Sequence, residues 1–345
     1  MSETYSIGVD LGGTNLRIAS YGGGVEFLDS IILPTRLAEG HDQVVRDMCH
    51  GIDALRSNDN GGRQLIGIGI GSPGPMELPK GTLHNPPNLP GWDGFQLRHA
   101  IESALGTSVQ IESDANLAAL AEQKLGAGKT HDIDSLCVLT LGTGVGSGLI
   151  LHGGIWHGAT GMGGEAGHII VKDIGSAPCG CGGYGCLEQY ASASAVLCMA
   201  RERMLDTAPA TAHEVALLAR SGDPRAVSVF ETVGHALAIA LTSLINTLNL
   251  PIYLLAGGVC EAWDLLAPTM FRVLREQLHL STDSAGRFGA VKFGKEQDLH
   301  PWRATWSCRW SSWSMPLAIP EETASGGARG GFTCPSIGIS SGAHS

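Results

Sequence analysis

The sequence predicts an α/β fold built from two similar lobes. Apolar strand segments alternate with helical patterns along most of the chain, which is typical of sheets covered by helices. A strand–glycine turn–strand unit occurs twice, since a shift of 130 positions places Leu11-Gly12 on Leu141-Gly142. The length of 345 residues exceeds one ordinary domain. We therefore expect two lobes with mixed, largely parallel sheets and helices on both faces.

Composition and charge narrow the class of protein. Apolar residues make up 43% of the chain and charged residues only 16%, so a large core is available. The 22 basic and 33 acidic residues give a net charge of −11, which argues against a nucleic-acid-binding surface. No uninterrupted apolar run approaches the roughly 20 residues of a membrane span. A strand begins within five residues of Met1, so we expect no targeting peptide and a cytoplasmic protein.

The first half of the chain carries the first strand–turn–strand unit. The strand Tyr5 to Asp10 ends on a carboxylate, and residues 11–15 form the glycine turn. In residues 42–56, Val44, Met48, Ile52 and Leu55 recur on one helical face. The predicted strands are residues 5–10, 16–20, 25–33, 65–71 and 109–112, and the predicted helices are 42–56, 97–105 and 114–125.

The second half repeats the pattern and then loses it. A strand over residues 135–140 enters the turn 141–144, and a later strand over 252–256 precedes Gly257-Gly258. Helices are predicted near residues 190–205, 213–220, 224–249 and 261–279.

The segment from Pro301 to Ser345 has no valine and holds four of the seven tryptophans. One interpretation is a single packing helix. We favour an atypical tail, frameshifted or disordered, because nothing in it continues the strand–helix rhythm.

Three cysteines and a histidine lie in one glycine-rich stretch: His168, Cys179, Cys181 and Cys186. A Cys₃His set is typical of a closed, structural zinc site. The alternative is ordinary buried cysteines, although these are interleaved with glycines rather than apolar residues. The odd total of nine cysteines disfavours disulfides. The carboxylates Glu165 and Glu188 flank the four residues, so the zinc would stiffen a polar binding site.

The duplicated glycine turns indicate a phosphate site. Backbone amides and small hydroxyls in such turns can surround phosphate oxygens, one turn from each lobe. Asp10 could hold Mg²⁺ through water, because hard cations prefer carboxylate oxygen. Each turn taken alone is equally typical of an ordinary hairpin. No Gly-Lys-Ser/Thr follows either turn, so this is not a Walker loop.

These motifs resemble those of the ROK family (repressors, open reading frames and kinases). The matching strings are Asp10-Leu11-Gly12-Gly13-Thr14-Asn15, Glu165-Ala166-Gly167-His168 and Cys179-Gly180-Cys181 through Cys186-Leu187-Glu188. The resemblance covers residues 5 to 280 and is greatest to the bacterial glucokinases. It implies two actin-like (ribonuclease-H-like) lobes with a ligand cleft between them. It also implies ATP-dependent phosphorylation of a hexose, with glucose as the expected substrate, at its 6-hydroxyl.

The resemblance assigns roles to individual residues. Asp114 would be the general base, although aspartate at a helix start is also a common cap. Substrate-binding positions are Asn88, Ser113, Asp114, Glu165, His168 and Glu188. Nucleotide-binding positions are Asp10, Gly12, Gly13, Thr14, Asn15, Gly142, Thr143, Gly144, Gly257 and Gly258. The zinc ligands would be His168, Cys179, Cys181 and Cys186, and the cofactors are ATP, Mg²⁺ and structural Zn²⁺.

The resemblance also suggests a domain organisation. We expect an N-terminal actin-like lobe over residues 1–115, a C-terminal lobe with the zinc loop over 116–290, and the atypical tail over 291–345. Two features depart from the family. Serine stands at position 113 where glucokinases usually have asparagine, and the closing helix of the family is not found after residue 290.

Several alternatives stay open. The substrate could instead be N-acetylmannosamine, fructose or allose, the donor could be a polyphosphate, and the protein could be a non-catalytic sugar-binding or regulatory member. Family repressors carry an additional N-terminal helix-turn-helix that this sequence lacks, so we expect no nucleic-acid partner. The expected partners are a hexose, ATP and a second copy in a homodimer, with no membrane.

Overall fold

The computed structural model describes residues 4–23, 26–58, 61–204, 209–278, 287–290, 292–293 and 308–309. Within these ranges the chain forms two five-stranded sheets, each accompanied by helices. The predicted tail from residue 291 lies outside the described residues, apart from two short strands, Lys292–Phe293 and Cys308–Arg309, which pair antiparallel.

The first sheet has the strand order β3-β2-β1-β4-β7. The elements of this half are β1 (Thr4–Leu11), β2 (Asn15–Gly22), β3 (Glu26–Pro34), α1 (His41–Ser57), β4 (Gln64–Ser72), β5 (Met76–Glu77), β6 (Thr82–Leu83), α2 (Leu97–Leu105) and β7 (Gln110–Ser113). The strands β5 and β6 form a separate small hairpin that the sequence pattern did not predict. Every longer strand and helix predicted in this half is confirmed to within two residues at each end.

The second sheet has the order β10-β9-β8-β11-β12 and repeats the topology of the first. The elements are α3 (Asp114–Leu125), α4 (Ala127–His131), β8 (Leu136–Leu141), β9 (Val145–Leu151), β10 (Gly154–Ile155), α5 (Glu188–Ala191), α6 (Ala193–Met204), α7 (Ala212–Arg220), α8 (Pro224–Leu248), β11 (Ile252–Ala256), α9 (Trp263–Gln277) and β12 (Arg287–Ala290). The helix predicted near 190–205 is two helices, which Ser192 separates in an extended conformation.

The expectation of mixed sheets is confirmed, but the expectation that they are largely parallel is wrong, because each has two parallel and two antiparallel strand pairs. In the first sheet, β1 pairs antiparallel with β2, and β2 pairs antiparallel with β3. Only the β1–β4 and β4–β7 pairs are parallel. The second sheet divides in the same way. The reason is the short glycine turns. A turn of a few residues can join only antiparallel strands, since parallel neighbours need a longer crossover connection.

Helices cover both faces of the second sheet. Alternate side chains of β8, such as Cys137 and Leu139, point into a core shared with α6 to α9. The intervening Leu136 and Val138 pack instead against Ala119 of α3. This alternation follows from the two-residue period of a strand buried on both faces.

Among the described residues, one helix is long and apolar enough to cross a membrane by length and composition alone. This helix is α8, and core helices of soluble proteins meet the same criterion. Val229, Phe230, Val233 and Leu237 of α8 are buried in the core of the second sheet.

Helix α3 lies where the two halves meet. It starts directly after β7 of the first sheet. Its residues Ala115 and Ala119 pack against Gly148 on β9 of the second sheet. The predicted boundary between residues 115 and 116 thus falls inside this helix, and the domain division stays a prediction.

Candidate functional site

The first glycine turn, residues 12–15, lies between β1 and β2 and is tied to the end of β3. The backbone N–H of Gly12 donates to the carbonyl of Asn15 at 3.0 Å. The hydroxyl of Thr35 donates to the Gly12 carbonyl at 2.7 Å. Gly13, in the middle of the turn, is exposed. The turn is therefore fixed at its ends and accessible at its centre.

Asp10 and Asn88 lie on either side of this turn. The Asp10 Oδ2 atom accepts a hydrogen bond from Arg17 Nη1 at 3.2 Å. Burial raises the pKa of Asp10, although the neighbouring Arg17 acts in the opposite direction. The carbonyl of Asn88 lies 3.2 Å from the position that a Cβ would take at Gly13. The structure thus brings both residues to the predicted phosphate turn.

The second glycine turn follows β8 and contacts the start of α6. The Gly142 N–H donates to the Gly144 carbonyl at 3.0 Å. The Ala193 N–H donates to the Gly142 carbonyl at 2.8 Å, and the Ser194 hydroxyl donates to the Thr143 carbonyl at 2.8 Å. The backbone of the turn is thus fixed by a helix start.

Gly257 and Gly258 lie next to this second turn. Gly257 follows β11 with a φ of 98°, a conformation that favours glycine. A Cβ at Gly257 would collide with the carbonyl of Leu141, the residue before the turn. Gly258 begins the 3₁₀ turn Gly258–Ala262. The two glycines predicted for the adenosine side therefore adjoin the phosphate turn.

Asp114 is the first residue of α3 and lies among other carboxylates. Its Oδ1 atom accepts a hydrogen bond from the Ala115 N–H at 2.7 Å. Burial raises the pKa of Asp114 to about 6, and the charges of Asp10 and Glu165 contribute in the same direction. Ser113, and not Asp114, occupies the cap position of the helix. Asp114 is thus not the cap residue itself, but its side chain accepts an N–H of the first turn, so the capping and catalytic interpretations stay compatible.

Glu165 is held in the loop after β10 by a serine that the sequence pattern did not reveal. The Ser147 hydroxyl, on β9, donates to the carbonyl of Gly164. The Ser147 Oγ atom also accepts a hydrogen bond from the Ala166 N–H at 2.9 Å. Ser147 thus binds the backbone on both sides of Glu165. Burial raises the pKa of Glu165.

Glu188 connects the cysteine-rich segment to the second turn. It is the first residue of α5, and its Oε2 atom accepts the Val145 N–H at 2.9 Å. Val145 directly follows the turn residue Gly144. The carboxylate predicted to bind sugar therefore lies next to the predicted phosphate turn.

The four predicted zinc ligands meet at one place. The ligand atoms of His168, Cys179, Cys181 and Cys186 all lie within 4.8 Å of one another. His168 Nδ1 is 3.7 Å from Cys179 Sγ, and the Sγ atoms of Cys181 and Cys186 are also 3.7 Å apart. A tetrahedral zinc ion with Zn–S bonds of about 2.3 Å places its sulfur ligands about 3.8 Å apart.

The donor set and its spacing therefore fit structural zinc. Gln189 adds a contact that the sequence did not indicate, because its Nε2 donates to Cys179 Sγ at 3.5 Å. Such a donor orients a thiolate ligand from outside the cluster.

A further contact that the sequence reasoning missed joins the two halves of the chain. His157 Nε2 lies 2.6 Å from Glu112 Oε2. Glu112 lies on β7 of the first sheet, and His157 follows β10 of the second. Glu112 lies in the string Glu112-Ser113-Asp114 that carries the predicted base, but His157 stands in no motif, so only the tertiary structure could have identified the pair.

Comparison with known proteins identifies relatives in the family that the sequence motifs resemble. A sequence profile of the ROK family matches residues 6–296. A glucokinase from Halalkalibacterium halodurans is 35% identical over 279 residues, which cover 77% of this chain and 84% of that protein.

Solved structures agree with the fold. A ROK hexokinase from Thermus thermophilus matches with a TM-score of 0.72 and 31% identity, covering 88% of this chain and 98% of that one. A ROK family glucokinase from Streptomyces griseus, in complex with glucose and AMPPNP, matches with a TM-score of 0.69 and 27% identity over the same shares. The two actin-like lobes expected from the sequence are thereby confirmed.

The relatives also include a protein of another class. A xylose repressor from Bacillus subtilis is 29% identical over 77% of this chain and 67% of its own length. The match of the family profile to most of the sequence, the identity to glucokinases and the shared fold lead to one conclusion. The chain belongs to the ROK family, and its relatives in that family include glucokinases and a hexokinase.

Proposed function

We propose that the protein transfers the γ-phosphoryl group of ATP to the 6-hydroxyl of a hexose, with glucose as the first candidate. The observation that carries the proposal is the position of Asp114. This carboxyl is partly buried, lies near Asp10 at the first glycine turn and near Glu165, and has its pKa raised to about 6. The similarity to glucokinases supports the same reaction.

In this reaction Asp114 acts as the general base. Its carboxylate accepts the proton of the 6-hydroxyl while that oxygen attacks the γ-phosphorus. The new O–P bond forms as the bond to the β–γ bridging oxygen breaks, and ADP leaves. A base with a pKa near 6 is mostly ionised at neutral pH and still accepts a proton readily. Phosphoryl transfer needs little more than alignment and charge neutralisation.

The two glycine turns, 12–15 and 142–144, bind the phosphates in this proposal. Gly257 and Gly258 adjoin the second turn and border the adenosine. Asp10 would hold Mg²⁺ through water, and the bound ion supplies positive charge for the phosphate oxygens. The carboxylates near Asp114 fit such a cation, because Arg17 is the one basic partner that contacts Asp10 among the described residues.

The hexose lies on the other side of Asp114. Glu165 and Glu188 accept hydrogen bonds from sugar hydroxyls, and Asn88 and Ser113 border the same space. His168 directs Nδ1 toward Cys179, which leaves Nε2 for the sugar. Structural zinc at His168, Cys179, Cys181 and Cys186 would fix this edge of the site.

A panel of sugars tests the proposal. ATP consumption is measured with glucose, fructose, allose, mannose and N-acetylmannosamine, and with xylose as the matched control that has no 6-hydroxyl. We expect turnover with at least one hexose, glucose foremost, and none with xylose. Absence of turnover with every hexose, with ATP or polyphosphate as donor, would refute the kinase proposal and favour a sugar-binding or regulatory protein.

Location and assembly belong to the same proposal. A glucokinase acts where ATP is available, so we propose a cytoplasmic enzyme without nucleic-acid or membrane partners. We also propose a homodimer, which size-exclusion chromatography with light scattering can test directly.

A further inference from the structure

The Glu112–His157 pair spans the two halves of the molecule. Glu112 is 15% exposed and His157 is 40% exposed, and their Oε2 and Nε2 atoms lie 2.6 Å apart. A hydrogen bond to a carboxylate is about twice as strong as one between neutral groups. The contact is therefore strong for a link between separate sheets.

On the first-lobe side, the pair is connected to the segment that bears the general base. The Oε1 atom of Glu112 accepts the Ser113 N–H at 2.9 Å and the Asn116 Nδ2 at 2.9 Å. These two residues flank Asp114 in the sequence. One carboxylate thus fixes the start of α3 with one oxygen and binds His157 with the other.

On the second-lobe side, the pair is connected to the loop that carries Glu165. The Gly163 N–H donates to the His157 carbonyl at 2.8 Å and closes a seven-residue loop, 157–163. A Cβ at Gly163 would lie 2.7 Å from the Gly158 nitrogen, so only glycine permits this closure. Glu165 follows two residues later, and a displacement of His157 therefore displaces its loop.

The same loop makes a second contact with the first lobe. A Cβ at Gly161 would lie 2.6 Å from the backbone nitrogen of Leu78, which directly follows β5. The loop therefore contacts the first lobe at both Leu78 and Glu112. The Leu78 contact is close packing of backbone atoms, whereas the contact at Glu112 is a hydrogen bond to a carboxylate.

We propose that Glu112 and His157 are positioning residues that hold the Glu165 loop against the Asp114 segment and thereby set the affinity for hexose. The inference rests on the proposed kinase function and deepens it. Neither side chain contacts the reacting atoms in this proposal, and both act through Asp114 and Glu165. Loss of the pair raises the KM for hexose, because binding must then fix a loop that is no longer held. The kcat changes little when His157 is lost, because Glu112 Oε1 still holds the start of α3 that bears Asp114.

Three variants test the proposal. We expect His157→Ala to raise the hexose KM about tenfold, in the range found for coupled residues, with kcat within threefold of the parent. We expect His157→Gln, whose amide can still donate to Glu112, to recover most of the loss. His152→Asn is the matched control, since His152 lies on the same hairpin and is 94% exposed. An unchanged KM in His157→Ala, or an equal loss in His157→Gln and His157→Ala, would overturn the proposal.

A double-mutant cycle tests whether Glu112 and His157 act as a pair or independently of each other. We expect His157→Ala to raise KM much less in a Glu112→Gln background than in the parent, because the charged acceptor is already gone. Independent, additive effects would overturn the proposal. Calorimetric measurement of hexose binding without ATP distinguishes failure of the kinase proposal from failure of the proposal for the Glu112–His157 pair. A parent that binds hexose without turnover refutes the kinase but still tests the pair through binding, whereas a parent that binds no hexose refutes both.

Discussion

Asp114 and Glu122 lie near the two ends of α3, where Glu122 is buried and Asp114 is partly exposed. Burial raises the pKa of Asp114 to about 6 and that of Glu122 to about 7. Asp114 adjoins the cluster formed with Asp10 and Glu165, whereas Glu122 accepts the Ala127 N–H at 3.1 Å at the start of α4. A raised pKa therefore accompanies a proposed chemical role at one end of the helix and a structural role at the other.

Replacement of Asp114 by asparagine tests the proposed base. The amide keeps the size of the side chain but cannot accept the hydroxyl proton, so we expect kcat to fall by about 10² to 10⁴. Hexose binding should stay within about threefold, because the asparagine amide can still hydrogen-bond a hydroxyl and the other binding groups are intact. Coupled ATP consumption and calorimetry measure the two quantities. Asp53→Asn, at an exposed position of α1, is the control, and a variant at Asp114 with nearly parental turnover would refute its role.

The pH profile tests the same group without mutation. A general base must be ionised, and the pKa of Asp114 is raised to about 6. We therefore expect kcat/KM at saturating ATP to fall about tenfold per pH unit below pH 6 and to level above it. Initial rates between pH 5 and 8 provide the measurement. A profile that is flat across this range would exclude a base of this pKa.

The raised pKa of Glu122 makes the free energy of unfolding depend on pH. Its pKa is raised from 4.5 to about 7 by burial, so the folded state binds this proton more tightly than the unfolded state. This contribution to the free energy of unfolding is present below pH 4.5 and is lost as the pH rises to about 7. Glu122→Gln removes the titration. Relative to the parent, we expect the variant to gain about 2 to 3 kcal/mol between pH 5 and pH 8.

Urea unfolding at the two pH values measures this difference. A difference between variant and parent that does not change with pH would show that Glu122 is ionised in the folded protein throughout.

At the scale of elements, the loop from residue 156 to 188 contains most of the groups proposed for the hexose side. It has little regular structure, and hydrogen bonds from Ser147 and the cysteine–histidine cluster fix its backbone. Sequence reasoning found the cluster because thiolates at such spacing are rare outside metal sites. It did not find Ser147, because a serine on an apolar strand carries no spacing signal.

Loss of a zinc ligand tests the role of the loop. We expect Cys181→Ser to bind less than the one Zn²⁺ per chain expected of the parent, because serine is a poor zinc ligand. The hexose KM should rise by about tenfold or more, while the ATP KM changes less, because the loop adjoins the hexose side. Elemental analysis and kinetics measure these effects. Cys198→Ser, also exposed but on α6, is the control.

Equal zinc content in Cys181→Ser and the parent would contradict the ligand assignment. Loss of zinc with an unchanged hexose KM would contradict only the proposed role of the metal at the sugar side.

At the scale of the whole molecule, two sheets of the same topology each carry a glycine turn, and the proposed site uses both turns. The carboxylates Asp10 and Asp114 come from the first half, and Glu165 and Glu188 from the second. Because ligand binding involves both halves, binding should stabilise the folded chain as a unit.

Hexose binding should therefore raise the thermal stability. At a hexose concentration about 100 times the Kd, we expect a stabilisation of about 2.7 kcal/mol. Differential scanning calorimetry with glucose, and with xylose as the control, measures the shift in Tm. If no hexose tested changes the Tm, a sugar site with a Kd below the hexose concentrations used is contradicted.

The sequence by itself determined the α/β class, the duplicated strand–turn–strand unit and the cysteine–histidine cluster. Each of these depends on local periodicity or spacing, which a linear pattern records. The bounds of α3, Asp114 to Leu125, were predicted for the same reason. The share of parallel pairs was overestimated, because the alternation of strands and helices was given more weight than the short turns, which join antiparallel neighbours.

Only the tertiary structure decided which distant groups meet. The Glu112–His157 contact, the support of Glu165 by Ser147 and the proximity of Glu188 to the second turn join residues 17 to 45 positions apart. Such contacts depend on the packing of α3 and the loop between two sheets. The partner of a charged group or a hydroxyl cannot be read from the sequence, because packing of distant elements decides which groups meet.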